Sequence, residues 1–216
     1  MTKSVSIKTE EIVNSTTHAI GIGLSITALV LMLVQAGFHG TASSVVGAAI
    51  FGASLIVLYT ASTLFHGAKK LRIKYKLNKL DHSAIYILIA GTYTPFTLVT
   101  LDGAWGWSIF GTIWGLAVGG VLFKVFWYKP KYRALSAWAY VAMGSVIIVA
   151  IYPLVQNLST MGLIWLLIGM VTYTLGVIFY LWEKLPFAHG IFHLFVLGGS
   201  IAHFFAIYHH VLPNLG

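Results

Sequence analysis

The sequence predicts an all-α integral membrane protein: a seven-transmembrane helix bundle with the N-terminus cytoplasmic and the C-terminus extracytoplasmic. Three observations predict it. The chain is 58% hydrophobic and only 8% charged over 216 residues. Its mean hydropathy is +0.88, an apolar excess that a soluble core of this size cannot bury and that must therefore face lipid. Apolar stretches of about 20 residues, enough to cross a hydrocarbon core, recur roughly seven times. The basic residues, finally, fall on one side of such a bundle.

The expected spans are residues 14–37, 45–65, 83–101, 107–127, 135–153, 163–181 and 189–211. Ahead of the first lies a short cytoplasmic segment, 1–13, whose Glu10 and Glu11 and lack of an Ala-x-Ala site argue against a cleaved signal. In the third span "GTYTP" places Pro95 inside a helix, where a kink is expected and Thr92 and Thr94 can help satisfy freed backbone groups. The fourth carries Gly111, Gly115 and Gly119 at four-residue spacing, which predicts close helix packing, inside the bundle in preference to a dimer face. Pro186 fits near the first turn of the last helix. Trp105, Trp107, Trp127, Tyr128 and Trp182 read as an interfacial aromatic belt. The connections are short and no composition shift interrupts them, so residues 1–216 read as a single membrane domain.

With seven crossings, all 13 Lys and Arg share one side. They lie in the N-terminal segment (Lys3, Lys8), in the second loop (Lys69, Lys70, Arg72, Lys74, Lys76, Lys79), in the fourth (Lys129, Lys131, Arg133, with Lys124 snorkelling) and in the sixth (Lys184). The positive-inside rule makes that side cytoplasmic. The net charge of +8 is then explained by topology and by anionic inner-leaflet lipid at the basic loops of a plasma membrane protein. No nucleic-acid motif is present. The absence of cysteine leaves only nitrogen and oxygen ligands for any metal.

Against this apolar background, the polar residues of the inner leaflet stand out. His189 and His193, four apart in "LPFAHGIFHLF", present both rings to one side of a helix, though without the Glu of an HExxH site. Ser62 and His66 repeat the spacing at the end of the second span. His66, His189 and His193 therefore fall at one depth, as in a catalytic zinc site with its fourth position open to water. Asp81 in "KLDHSAIYI" reaches the same level, either as a helix N-cap or as a carboxylate that holds or deprotonates a zinc-bound water, and Ser62 can orient either partner. Glu11, Asn14 and His18 form a polar stripe on the first span; capping and inter-helix hydrogen bonding are preferred to direct ligation, with support behind the metal ligands as a further role. His82 points about 100° away from Asp81 and is left out of the site. His203, about 21 Å beyond His189 along the helix, is expected to hydrogen-bond inside the bundle. His209 and His210 are placed at the wet outer interface.

Taken together, "EEIVNSTTHAIG", "STLFH", "KLDHSAIYILIAGTYTP" and "HGIFHLFVLGGSIAHF" make the chain resemble the hemolysin III branch of the progestin and adipoQ receptor (PAQR) family over essentially all spans. That resemblance implies zinc bound by His66, His189 and His193, with Asp81 and Ser62 matching the family's zinc-associated aspartate and serine. Through the adiponectin receptors and, more distantly, alkaline ceramidases, it implies hydrolysis of membrane lipid amide or ester bonds and a contribution to membrane-lipid homeostasis. Two other functions stand beside it: a non-catalytic membrane sensor with a structural zinc, and a hemolysin-like lytic protein. The polar groups cluster towards one leaflet, which disfavours a pore.

Overall fold

The structure, a computed structural model, describes residues 2–213, with side chains from residue 7 onward. Lys3, counted in the orientation argument, and the two ends of the expected 1–216 domain lie outside the described side chains. Among the described residues, seven helices are long and apolar enough to cross a membrane, as the sequence predicted. Helix α1 (Thr2–His39) is followed by α2 (Ala42–Gly67), α3 (Leu71–Pro95), α4 (Gly103–Leu122), α5 (Arg133–Gly144), α6 (Ile151–Asn157), α7 (Thr160–Leu181) and α8 (Ala188–His210). The fifth span is built from α5 and α6 together. In the bundle α1 packs on α2, α2 on α3 and α7 on α8, and α1 returns against α8. Met32, Phe51, Leu55, Tyr59 and Ile113 fill its interior.

Local chemistry explains several boundaries. Helix α2 begins with a reciprocal cap: the Ser44 amide donates to Thr41 Oγ1 at 3.3 Å and the Thr41 amide donates to Ser44 Oγ at 3.1 Å. Helix α7 begins with Ser159 accepting from the Gly162 amide at 3.2 Å. Two ends run further than expected, because α1 is helical from Thr2 rather than from about residue 14, and α3 starts at Leu71 inside the basic "loop". "LRIKYKLNKL" holds Leu, Lys and Arg and neither Gly nor Pro, so its backbone continues the helix beyond the apolar stretch. Asp81 consequently lies well inside α3, whose N-cap is Lys70, and the N-cap alternative for Asp81 fails.

Pro95 does more than kink its helix. It closes α3, and the chain continues in a wider turn as the π-helix Phe96–Leu101. Thr92 and Thr94 do bond backbone carbonyls, but those of Leu88 and Ala90, each at 2.8 Å, rather than the Gly91 carbonyl that Pro95 leaves free. The glycine expectation in the fourth span is also corrected. A methyl group at Gly111, Gly115 or Gly119 would meet nothing within 4 Å, so that stripe is no packing seam among the described residues. The close approach is made by neighbouring Gly120, where a Cβ would lie 2.5 Å from the Tyr86 ring. Gly106 is tighter still, with the Thr97 carbonyl oxygen 2.1 Å from a Cβ position. Because that obstacle is backbone, Gly106→Ala is expected to cost about 1–3 kcal/mol. Thermal unfolding of the purified variant in detergent checks this, and an unchanged Tm would refute it.

Span five is interrupted. After Gly144 the chain runs through Ser145 into the 3₁₀ segment Val146–Ala150 before α6 resumes. Tyr93 of α3 repairs the break: its hydroxyl donates to the Gly144 carbonyl at 2.7 Å and accepts from the Ile147 amide at 2.8 Å. Irregular backbone at membrane depth survives only where protein supplies such partners.

Candidate metal centre

Three helices meet towards the basic end of the bundle. Helix α2 brings Ser62 and His66, α3 brings Asp81, and α8 brings His189 and His193 one turn apart on the same side. The histidines predicted from the sequence do converge, since one ring nitrogen from each of His66, His189 and His193 lies within 4.8 Å of the others. His66 Nε2 and His189 Nε2 are 3.2 Å apart. Two ligands of a tetrahedral zinc at about 2.0–2.1 Å would stand roughly 3.3 Å from each other, so the spacing suits a single ion.

The opposite ring nitrogens are already engaged, which fixes the tautomers. His66 Nδ1 faces Glu11 Oε2 at 2.9 Å, and His193 Nδ1 faces the Asn14 carbonyl at 3.1 Å with Thr17 Oγ1 at 3.4 Å. With Nδ1–H donating to these oxygens, both Nε2 atoms offer lone pairs to the centre. The donor set therefore fits a divalent ion of zinc's kind, and the group could hold one. His66 and His193 are buried, while His189 is partly exposed and opens the group towards the basic end.

The stripe on α1 bonds the histidines of neighbouring helices rather than capping a helix, since α1 begins well before it. Glu11 bridges His66 and Lys74, whose Nζ is 2.9 Å from Oε1. Asn14 contributes its backbone carbonyl, not its side chain, whose Oδ1 has no partner among the described residues. His18 stacks on His193 with ring centroids 3.6 Å apart and an interplanar angle of 10°, and meets Tyr59 edge-on. Glu10 Oε1 accepts the Phe187 amide at 2.9 Å, just before α8. Phe187 sits in the left-handed region at φ 58°, so the last helix starts at Ala188 and Pro186 lies ahead of its first turn rather than within it.

Beyond the histidines the bundle encloses a cavity of about 140 Å³. His18, Ser62, Asp81, His82, His189 and His193 line its head, and mostly apolar and aromatic side chains its length. Asp81 is 6% exposed and interacts with the fully buried Ser62.

Three polar residues differ from expectation. His82, set aside on helical angle, lines the same cavity with Nδ1 unpartnered among the described residues, because the cavity is broad enough to expose adjacent positions of α3. Lys124 does not snorkel: it is 1% exposed, lies 3.7 Å from the centre of the Tyr128 ring and is held electrostatically by Asp81. Lys124 lies in the π-helix Phe123–Trp127, and the partly exposed Tyr128 ring covers its ammonium. No sequence signal announces that turn. His203 lines the cavity, and its Nδ1 has no hydrogen-bond partner among the described residues, contrary to expectation. At the far end His210 Nδ1 meets Ser159 Oγ at 2.9 Å. Trp105, Trp107, Trp127 and Trp182 are all exposed, as a belt requires.

The Haemolysin-III related family model matches residues 6–204. The chain belongs to this family. It is 50% identical over 214 residues to Hemolysin-3 of Bacillus cereus, covering 99% of this chain and 97% of that one. It is 47% identical over 198 residues to the Hemolysin-3 homolog of Bacillus subtilis, covering 92% of each. It is also 33% identical over 165 residues to the human Monocyte to macrophage differentiation factor, a distant PAQR-type relative, covering 74% of this chain and 68% of that protein. With family and fold agreeing, this haemolysin III-related chain is a multi-pass integral membrane protein.

Proposed function

We propose that this haemolysin III-related protein is a zinc-dependent hydrolase of membrane lipid amides or esters, placed in the plasma membrane with its basic end cytoplasmic and contributing to lipid homeostasis. One observation carries the reading: the three-histidine group, Asp81 and Ser62 stand together at the head of a long cavity that is otherwise mostly apolar. Membrane lipids have that form, a polar linkage continued by hydrocarbon. When bound, zinc supplies a Lewis acid that polarises a carbonyl and lowers the pKa of water. His66, His189 and His193 would hold it through Nε2, with Glu11 and the Asn14 carbonyl fixing two of the rings.

Asp81 is the base. It takes a proton from the attacking water and returns it to the nitrogen or oxygen that leaves, so the acyl carbon gains hydroxyl as the old bond breaks. Ser62 orients the carboxylate. The apolar cavity holds the hydrocarbon and excludes bulk water, and partly exposed His189 marks the side from which water enters. Lys74 and the other basic residues at this end would attract anionic headgroups of the inner leaflet.

The structural-zinc reading also has an observation behind it. Glu11 and Asn14 of α1 bond ligands from α2 and α8, so an ion there would cross-link three helices. Lysis, suggested by the relatives' name Hemolysin-3, is less favoured because the cavity lining beyond the histidines is mainly apolar. The purified zinc-loaded protein is expected to hydrolyse ceramide-like amides or ester-linked lipids, and a chelator to abolish turnover until zinc is restored. Lipid mass spectrometry reads this. Unchanged lipids with a fully loaded site would reject the hydrolase.

A further inference from the structure

Well beyond the metal ligands, the apolar wall of the cavity is broken by a second polar group. His203 of α8 lines the cavity, is 3% exposed, and has an Nδ1 without a partner among the described residues. Its ring is seated firmly: Gly169 leaves it room, since a Cβ there would approach Cε1 and Nε2 to 2.7 Å, and the Tyr173 ring lies 5.2 Å away, centroid to centroid. Next to it runs a chain of hydroxyls in which Tyr59 donates to Ser200 Oγ at 2.7 Å and Ser200 Oγ meets the Tyr173 hydroxyl at 2.9 Å.

These three hydroxyls carry one proton each, and the two contacts use two of them. Whichever way the second contact points, one proton is left over, on Ser200 or on Tyr173. An unpartnered imidazole nitrogen and a spare hydroxyl donor inside a membrane bundle are costly unless something binds them. Helix rise places His203 about 15 Å along α8 from His193, far from the metal ligands yet on the same cavity, which Tyr173 also lines.

We propose that Tyr173 and His203, with Ser200 behind the Tyr173 hydroxyl, form a subsite that recognises a hydroxyl or carbonyl carried part-way along a lipid's hydrocarbon chain. The unpartnered Nδ1 of a neutral imidazole accepts from an alcohol or, in the other tautomer, donates to an alcohol or carbonyl oxygen, and the spare hydroxyl proton suits the same oxygen. A fully saturated chain satisfies neither group, and discrimination follows from leaving them unpaired. The inference rests on the cavity holding lipid, as proposed above, but not on turnover.

The test is binding of stearate and of a mid-chain hydroxystearate to the full purified chain in detergent. The hydroxy acid is expected to bind roughly three- to tenfold more tightly, one net hydrogen bond's worth. His203→Leu and Tyr173→Phe are each expected to erase that preference while keeping stearate binding, and His203→Gln to retain part of it. Should His203→Leu fail to fold, Tyr173→Phe, which removes a single oxygen, decides. Equal binding of both acids by the unaltered protein would overturn the subsite and leave the lipid cavity standing. Binding of neither would overturn both. A preference that survives Tyr173→Phe and His203→Leu would place the recognition elsewhere and also overturn it.

Discussion

Asp81→Asn is expected to reduce lipid hydrolysis by on the order of 10²- to 10⁴-fold, the usual contribution of a positioned base, while zinc content and folding are kept. The substitution preserves shape and removes only basicity. Asp81 lies inside α3, so no helix cap is lost, and it is not one of the three converging nitrogen ligands. Lys124 loses an electrostatic partner but keeps the faces of Tyr128 and Tyr140 around its ammonium. Zinc analysis, thermal unfolding and lipid turnover on one preparation separate the two readings of the centre. A variant that keeps metal, fold and full physiological activity would remove Asp81 from the chemistry and favour a structural ion. Loss of turnover alone, with metal intact, is the result the hydrolase requires.

His66→Ala is the second large effect. Removing one of three nitrogen ligands is expected to weaken zinc by on the order of 10²- to 10³-fold, about a third of a typical structural zinc's binding free energy. The loss should reach stability as well, because His66 meets His189 of α8 and Glu11 of α1, and a bound ion would tie the first pair together. Glu11→Gln calibrates the measurement: it keeps all three ligand nitrogens and disturbs only the group behind one of them, so about 10- to 100-fold is expected. Equal zinc content in all three proteins, by elemental analysis after dialysis, would contradict the assignment of these histidines.

The seven crossings and the convergence of His66, His189 and His193 were legible because each rests on a periodic or cumulative signal: stretches long enough to span lipid, and four-residue spacings at matching ends of two spans. The family resemblance, borne out over residues 6–204, rested on several motifs in order rather than on one. Harder to see was whatever depended on a local change of helix type. The π-turn that buries Lys124 and the 3₁₀ break after Gly144 follow from packing that no window of composition records. Helical angle alone misjudged His82 for a related reason. An angle says where a residue points, whereas the width of the cavity decides how many directions open into it. At Gly111, Gly115 and Gly119 small size signalled an opportunity for packing, and the neighbour that used it chose Gly120.

The interrupted fifth span has a consequence for traffic. Within five residues, Ile147 and Ala150 are buried while Ile148 and Val149 are 60% and 71% exposed, so a single strand of backbone separates the cavity from the surrounding bilayer. One phenol oxygen, that of Tyr93, ties this thin partition to the third helix. On the proposed reading a lipid substrate would meet this wall from within the bilayer, where the grip of one side chain holds it to the third helix.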